Sequence, residues 1–174
     1  AMSLGVARRK VVELTLGIDT VKFHAEGRTA PRAGEALRLV CTRRLEPVFD
    51  HPVIVEALAI LKAEGVKFKM TFAGDGSLRG ELSALVARRG LGSDVTILGA
   101  VGGDAMPAVL RAHDVYLSAS RSDGTSLSLL EAMSAGLFPV VSRIRANEAW
   151  LEHGVGGLLH GVGAPEDLAA RIQE

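Results

Sequence analysis

One cysteine among 174 residues, 4% aromatic residues, and 20 Lys plus Arg cancelled by 20 Asp plus Glu are the first features of this chain. A lone cysteine cannot close an internal disulfide, which excludes a cystine-stapled secreted scaffold and makes a reducing, cytoplasmic compartment the expectation. Zero net charge excludes nucleic acid as a partner held by bulk charge. No apolar run approaches the roughly 20 residues of a membrane span. Arg8, Arg9 and Lys10 break the leading segment where a signal peptide needs an apolar core. The five histidines, His24, His51, His113, His153 and His160, lack metal-ligand spacing and there is no HExxH, so no protein-bound metal is expected. What is present is 48% hydrophobic residues and 20 glycines. At this length a chain buries roughly 70% of its unfolded surface, enough for one full core.

Charge is unevenly placed. Residues 1–44 hold nine Lys or Arg against four Asp or Glu, balanced by an acidic excess over the rest. A solvated basic edge and a phosphate or membrane patch both fit this segment. From Leu37 onward β-rich runs alternate with helical patterns, which predicts an α/β, Rossmann-like, doubly wound parallel sheet in a single domain. Six strands are expected: Leu37–Thr42, Val66–Ala73, Val95–Leu98, Asp114–Ser118, Phe138–Ser142 and Gly157–His160. Ile54, Ala57, Leu58 and Leu61 form one core-facing stripe at helical spacing, and Leu78, Leu82, Leu85 and Val86 a second. Pro47, Pro52, Pro107, Pro139 and Pro165 fall at or near element ends, where a missing N–H is tolerated. Residues 1–36 are read as a leading segment, with a β-like run at Val11–Leu16, and a linker within Glu26–Glu35. Residues 37–174 form the domain. Cys41 reads as a small core residue and Trp150 as a packing anchor.

In an open doubly wound sheet ligands bind beyond the carboxyl ends of the strands where the strand order reverses. With the order 3-2-1-4-5-6, the segments after Thr42 and after Ser118 must face each other. The first offers Arg43 and Arg44, planar permanent cations suited to phosphate oxygens; a pair of surface salt bridges is the alternative. The second runs Ser118-Ala-Ser-Arg-Ser-Asp123-Gly124-Thr125-Ser126 into an almost wholly apolar helix carrying Glu131. Such a helix is expected to be buried on nearly all sides, and a carboxylate within it asks for a partner, for which sugar hydroxyls are suitable. Free N–H groups from Thr125 to Ser128 at the helix start make an anion site, with Gly124 allowing close approach. The alternative has Asp123 or Ser126 as an N-cap and Glu131 completing a capping box with Ser128. Eight residues of helix would hold Asp123 and Glu131 roughly 12 Å apart, too far for a hydrolytic carboxylate pair. Gly74-Asp75-Gly76-Ser77 is either a nucleotide-facing turn or a tight turn with an Asp cap. It lacks both the P-loop Lys and the GxGxxG spacing that a nicotinamide-type Rossmann domain would carry.

Gly17-Ile-Asp-Thr-Val-Lys-Phe23, Arg43-Arg-Leu-Glu-Pro47, Phe72-Ala-Gly-Asp-Gly76, Val95-Thr-Ile-Leu-Gly99, Asp114-Val-Tyr-Leu-Ser118 and Asp123-Gly-Thr-Ser-Leu-Ser-Leu-Leu-Glu131-Ala-Met-Ser-Ala-Gly136 occur in that order. Together they resemble the C-terminal, donor-binding half of a group 1 (family 4) retaining glycosyltransferase of the GT-B fold, the last segment matching its E-x7-E motif. The resemblance implies a nucleotide-diphosphate sugar donor of UDP, GDP or ADP type. It implies no required cofactor or metal. It places Glu131 on ribose hydroxyls, Asp123 on the transferred sugar, and the backbone of Gly124, Thr125, Ser126 and Leu127 on sugar or diphosphate. Arg43 or Arg44 would neutralise the leaving diphosphate, Gly74 and Gly76 would face the nucleotide, and Gly99, Ala100 and Val101 would border the base. It further implies an N-terminal acceptor-binding domain as partner, without which this chain binds donor but transfers nothing. The full-length enzyme would work in the cytoplasm, with peripheral association at the inner membrane face open to it. A stand-alone nucleotide-binding module or part of a GT-B sugar-nucleotide epimerase are the other readings. Three positions depart from the pattern. Asp123 replaces the usual Glu, the usual phosphate-binding Lys falls near Phe49, and Ala149 intervenes after Glu148 where a bulky apolar residue often follows the acid directly.

Overall fold

The computed structural model describes residues 16–29 and 34–174. Residues 11–15 of the expected leading strand, and Arg8, Arg9, Lys10 and Arg32, lie outside that range. Six strands form one all-parallel sheet in the order β3-β2-β1-β4-β5-β6, with β1 Leu37–Cys41, β2 Phe68–Phe72, β3 Val95–Ile97, β4 Val115–Ser118, β5 Phe138–Ser142 and β6 Leu158–His160. Helices α1 His51–Ala63, α2 Arg79–Arg88, α3 Met106–Arg111, α4 Leu127–Ser134, α5 Arg145–Glu148 and α6 Pro165–Gln173 connect or follow them. The chain reverses its direction of growth between β1 and β4, so the loops after these two strands meet above the sheet.

Strand side chains alternate between two hydrophobic layers, as the pleat requires. Leu39, Cys41, Leu117, Val140 and Leu158 pack on one face against Ile54, Leu58 and Leu61 of α1, Leu82 and Val86 of α2, and Leu168 and Ile172 of α6. Val40, Tyr116, Val141 and Leu159 pack on the other against Leu110 of α3 and Leu129 and Ala132 of α4. Cys41 is buried in the first layer, and burial pushes its thiol up to about 11, which leaves it inert at neutral pH.

Pro139 keeps its place near an element end as the second residue of β5, paired with Tyr116. Trp150 is no packing anchor: it is 38% exposed, because α5 ends at Glu148 and the chain leaves the sheet there. Phe23, by contrast, is buried in the second layer. The Ser134 hydroxyl donates to the Phe23 carbonyl, and Arg28 donates to the His113 carbonyl at 2.9 Å, so residues 16–29 lie against α4 and the start of β4.

Much of the basic excess of the first 44 residues is consumed internally. Arg38 donates to Asp114 twice, at 2.8 and 2.6 Å, and Arg28 lies 3.6 Å from the same carboxylate. Lys22 pairs with Asp104 at 2.7 Å.

Candidate functional site

The loop after β1 sends its two arginines to different sides of the crevice. Leu45 is wholly buried and anchors the loop. Arg43 turns toward β4: Nη2 donates to Asp123 Oδ2 at 2.7 Å and Nη1 to Ser128 Oγ at 2.9 Å, and its guanidinium lies 4.1 Å above the Phe49 ring. Phe49, near which the resemblance would put a phosphate-binding lysine, instead offers an aromatic face to the Arg43 cation. Arg43 and Asp123 keep only 11% and 15% of their side-chain surface exposed. Arg44 is 78% exposed and pairs loosely with Glu46 at 3.5 Å.

Arg44 also borders a cleft of about 420 Å³ between the loops after β1, β2 and β3, lined further by Gly74, Gly76, Ala100 and Val101. Gly74 and Gly76 owe their identity to backbone packing. A Cβ on Gly74 would sit 2.2 Å from the Arg43 carbonyl oxygen, and one on Gly76 would sit 2.4 Å from that of Leu45. Leu45 N–H donates to the Asp75 carbonyl at 3.0 Å and Leu78 N–H to the Leu45 carbonyl at 2.9 Å, locking the two loops. Asp75 is no helix cap, since α2 has Leu78 at its N-cap; its carboxylate bonds Gly76 N–H and Arg79 instead. Gly74→Ala should therefore destabilise the fold by about 1–3 kcal/mol, the range for overpacking against atoms that cannot yield, measured by urea unfolding. Gly99 adopts φ 83°, a conformation that favours glycine, and sets the course of the chain past Ala100 and Val101.

Above β4, Asp123 Oδ1 accepts from Gly124 N–H at 2.8 Å. Ser126, at φ −81° and ψ 79°, forms an inverse γ-turn in which Leu127 N–H donates to the Thr125 carbonyl at 3.0 Å. The N–H groups of Gly124 and Leu127 are thus already engaged, contrary to an open row of donors. Ser126 occupies the N-cap without a side-chain cap bond, so neither the cap nor the capping-box alternative forms. Helix α4 is covered on one side only, with Leu129 and Ala132 buried and Leu127, Leu130 and Met133 partly open. The apolar pattern overstated its burial: Leu127 and Leu130 stay partly open, and Met133 packs only partly buried against the second layer.

Glu131 is half-buried and makes no hydrogen bond or ion pair to any described residue. Burial raises its carboxyl pKa above the ordinary range, and the Lys22 charge only partly opposes this. The site includes residues that sequence reasoning passed over. Tyr116, wholly buried on β4, donates to Ser128 Oγ at 2.9 Å, and Ser128 is therefore held between Tyr116 and Arg43. Asp50, at φ 46° between the 3-10 turn Pro47–Phe49 and α1, binds Arg121 at 2.8 Å, while Arg121 N–H donates to the Val48 carbonyl at 2.9 Å. Apart from Tyr116–Ser128, these contacts join residues about 70 to 85 positions apart, a separation no periodicity reveals. Glu148 is exposed and lies 3.6 Å from Arg143, away from this network. No group of three or more His, Cys, Asp or Glu among the described residues is placed to hold a metal ion.

Residues 36–174 match the family model described as Glycosyl transferases group 1. The chain belongs to that family. Among relatives of this glycosyltransferase chain, the amylovoran biosynthesis glycosyltransferase AmsK of Erwinia amylovora is 29% identical over 175 residues, covering 97% of the chain and 42% of AmsK. Its fold matches that of Anabaena Alr3699/HepE solved with UDP, at TM-score 0.82 and 22% identity, over 99% of the chain and 49% of that protein. It also matches the C-terminal domain of the Francisella tularensis group 1 glycosyltransferase LpcC, at TM-score 0.77 and 21% identity, over 90% of the chain and 86% of that domain. The chain spans less than half the length of AmsK and of HepE.

Proposed function

We propose that this chain is the donor-binding domain of a retaining, metal-independent glycosyltransferase and holds a nucleotide-diphosphate sugar between the loops after β1 and β4. The observation that carries this is the convergence of Arg43, Asp123 and Ser128 at the point where the strand order reverses, with Glu131 one turn further along α4. In that pose Glu131 accepts hydrogen bonds from the ribose hydroxyls. Its carboxylate has no protein partner among the described residues, so a ligand hydroxyl repays its desolvation. Asp123 faces the transferred sugar, and the base lies toward Ala100 and Val101.

Chemistry needs charge stabilisation where the glycosidic bond breaks and the diphosphate leaves. A guanidinium fixed beside those oxygens supplies it without reorganising at the moment of reaction. Arg43 is the better placed of the two arginines for this, since Ser128 and Phe49 orient it, while Arg44 reaches the diphosphate from the solvent side. No cofactor takes part. By this reading an acceptor-binding domain forms the other wall of the cleft, so the chain alone binds donor without turnover. That the similarly folded HepE was solved in complex with UDP supports a nucleotide ligand. Calorimetric titration with UDP, GDP and ADP should show saturable binding of at least one, tightened by the attached hexose. Failure of all three to bind would overturn the reading.

A further inference from the structure

The Asp123 carboxylate occupies two anion-recognising groups at once. Oδ2 takes Arg43 Nη2 at 2.7 Å and Oδ1 takes Gly124 N–H at 2.8 Å, a cation and a backbone donor converging on one small anion as they would on a phosphate group. The remaining groups around Arg43 fix it without satisfying it. Nη1 goes to Ser128 Oγ at 2.9 Å, itself bonded by Tyr116, and the Phe49 ring covers the guanidinium face at 4.1 Å. Arg43 Nε is buried with no hydrogen-bond partner. The guanidinium therefore has donor capacity left that Asp123 does not use, and an anchor through Ser128 that persists if Asp123 lets go.

We propose that Asp123 is an internal competitor of the diphosphate: donor binding exchanges its carboxylate for phosphate oxygens on Arg43 and Gly124 N–H, and so frees Asp123 to face the sugar. This rests on the donor-site reading above and makes Asp123 a specificity-determining residue. A bare nucleoside diphosphate must displace a bonded carboxylate and gains nothing from its release. A nucleotide sugar recovers part of that loss through the hydroxyls that the freed carboxylate then accepts. Length matters here, because the shorter Asp side chain reaches its own loop's N–H and the arginine simultaneously.

The competition fixes an unusual sign. Asp123→Asn keeps the shape, removes the competing charge, and should tighten binding of UDP, GDP or ADP, whichever the protein takes, by about tenfold, the magnitude of one charge-assisted hydrogen bond. The same variant should lose the extra affinity that the hexose gives the wild type. In an Arg43→Met background the gain from Asp123→Asn should vanish, and Asp123→Ala should reproduce the gain if Asn packs poorly. Calorimetry on the full chain, with circular dichroism to establish folding, reads all five proteins: wild type, Asp123→Asn, Asp123→Ala, Arg43→Met and the Arg43→Met/Asp123→Asn double variant. Nucleoside diphosphate binding that is unchanged or weaker in both Asp123 variants overturns the competition while leaving the donor site standing. Absence of binding by wild type and both variants overturns the donor site and the competition together.

Discussion

Glu131→Ala should lower nucleotide affinity by about 10- to 100-fold, the loss expected for charge-assisted hydrogen bonds to hydroxyls, while leaving the melting temperature unchanged or slightly raised. The two effects separate because the Glu131 carboxylate makes no hydrogen bond or ion pair to any described residue and its charge is penalised by burial. The pH dependence has a definite sign. A carboxyl whose folded pKa lies above its unfolded value binds more protons when folded, so its contribution is most favourable in acid and is lost as pH rises through the folded pKa. Glu131→Gln should therefore melt above wild type at pH 7, with the gap closing below the ordinary Glu value of 4.5. Equal nucleotide affinity in wild type and Glu131→Ala, for a ligand the wild type binds, would remove Glu131 from the site.

Asp114 should behave in the opposite way. It is buried at the entry to β4 and takes both arms of Arg38, with Arg28 beside it. Removing it takes away the carboxylate that Arg38 and Arg28 share and leaves Glu35 as the acid still acting on Arg38. Asp114→Ala should cost about 3 kcal/mol, the lower end for breaking a buried pair because Arg38 still reaches water, and lower the melting temperature by about 6–12 °C. Burial alone would raise the Asp114 carboxyl, but hydrogen bonds from Arg38 and the charges of Arg38 and Arg28 outweigh it and hold the pKa below the ordinary value. A depressed carboxyl stabilises above its unfolded pKa and loses that contribution as pH falls through the folded one. The gap between wild type and Asp114→Ala should accordingly be full at pH 7 and shrink below pH 3.8, the ordinary Asp value. A melting difference independent of pH would mean that Asp114 acts through packing alone.

The sheet was legible in the sequence because its signal is local. Runs such as Leu37–Cys41 and Phe138–Ser142 are short, β-rich and bounded by turn residues, and the stripes of α1 and α2 recur at helical spacing. Helices α3 and α5, with six and four residues, are too short to show a stripe. The meeting of the loops after β1 and β4 was also legible, since it follows from strand order. The division of labour between Arg43 and Arg44 was not, because both are arginines in one turn. Only the buried Leu45, the Phe49 ring and Ser128, 85 residues from Arg43, decide which of them faces β4. Trp150 was misjudged for a related reason. Residue type sets how much burial would yield, whereas exposure depends on what the rest of the chain brings over it.

Both ends of the sheet are short. The outermost strands, β3 at Val95–Ile97 and β6 at Leu158–His160, have three residues each, while the interior strands run to four or five. An open parallel sheet has two exposed rims of backbone donors and acceptors, and a long flat rim invites another chain to extend it. Here each rim offers so little ladder that a neighbouring molecule finds almost nothing to pair with. Among the described residues, resistance to edge-to-edge aggregation is thereby built into where the strands stop.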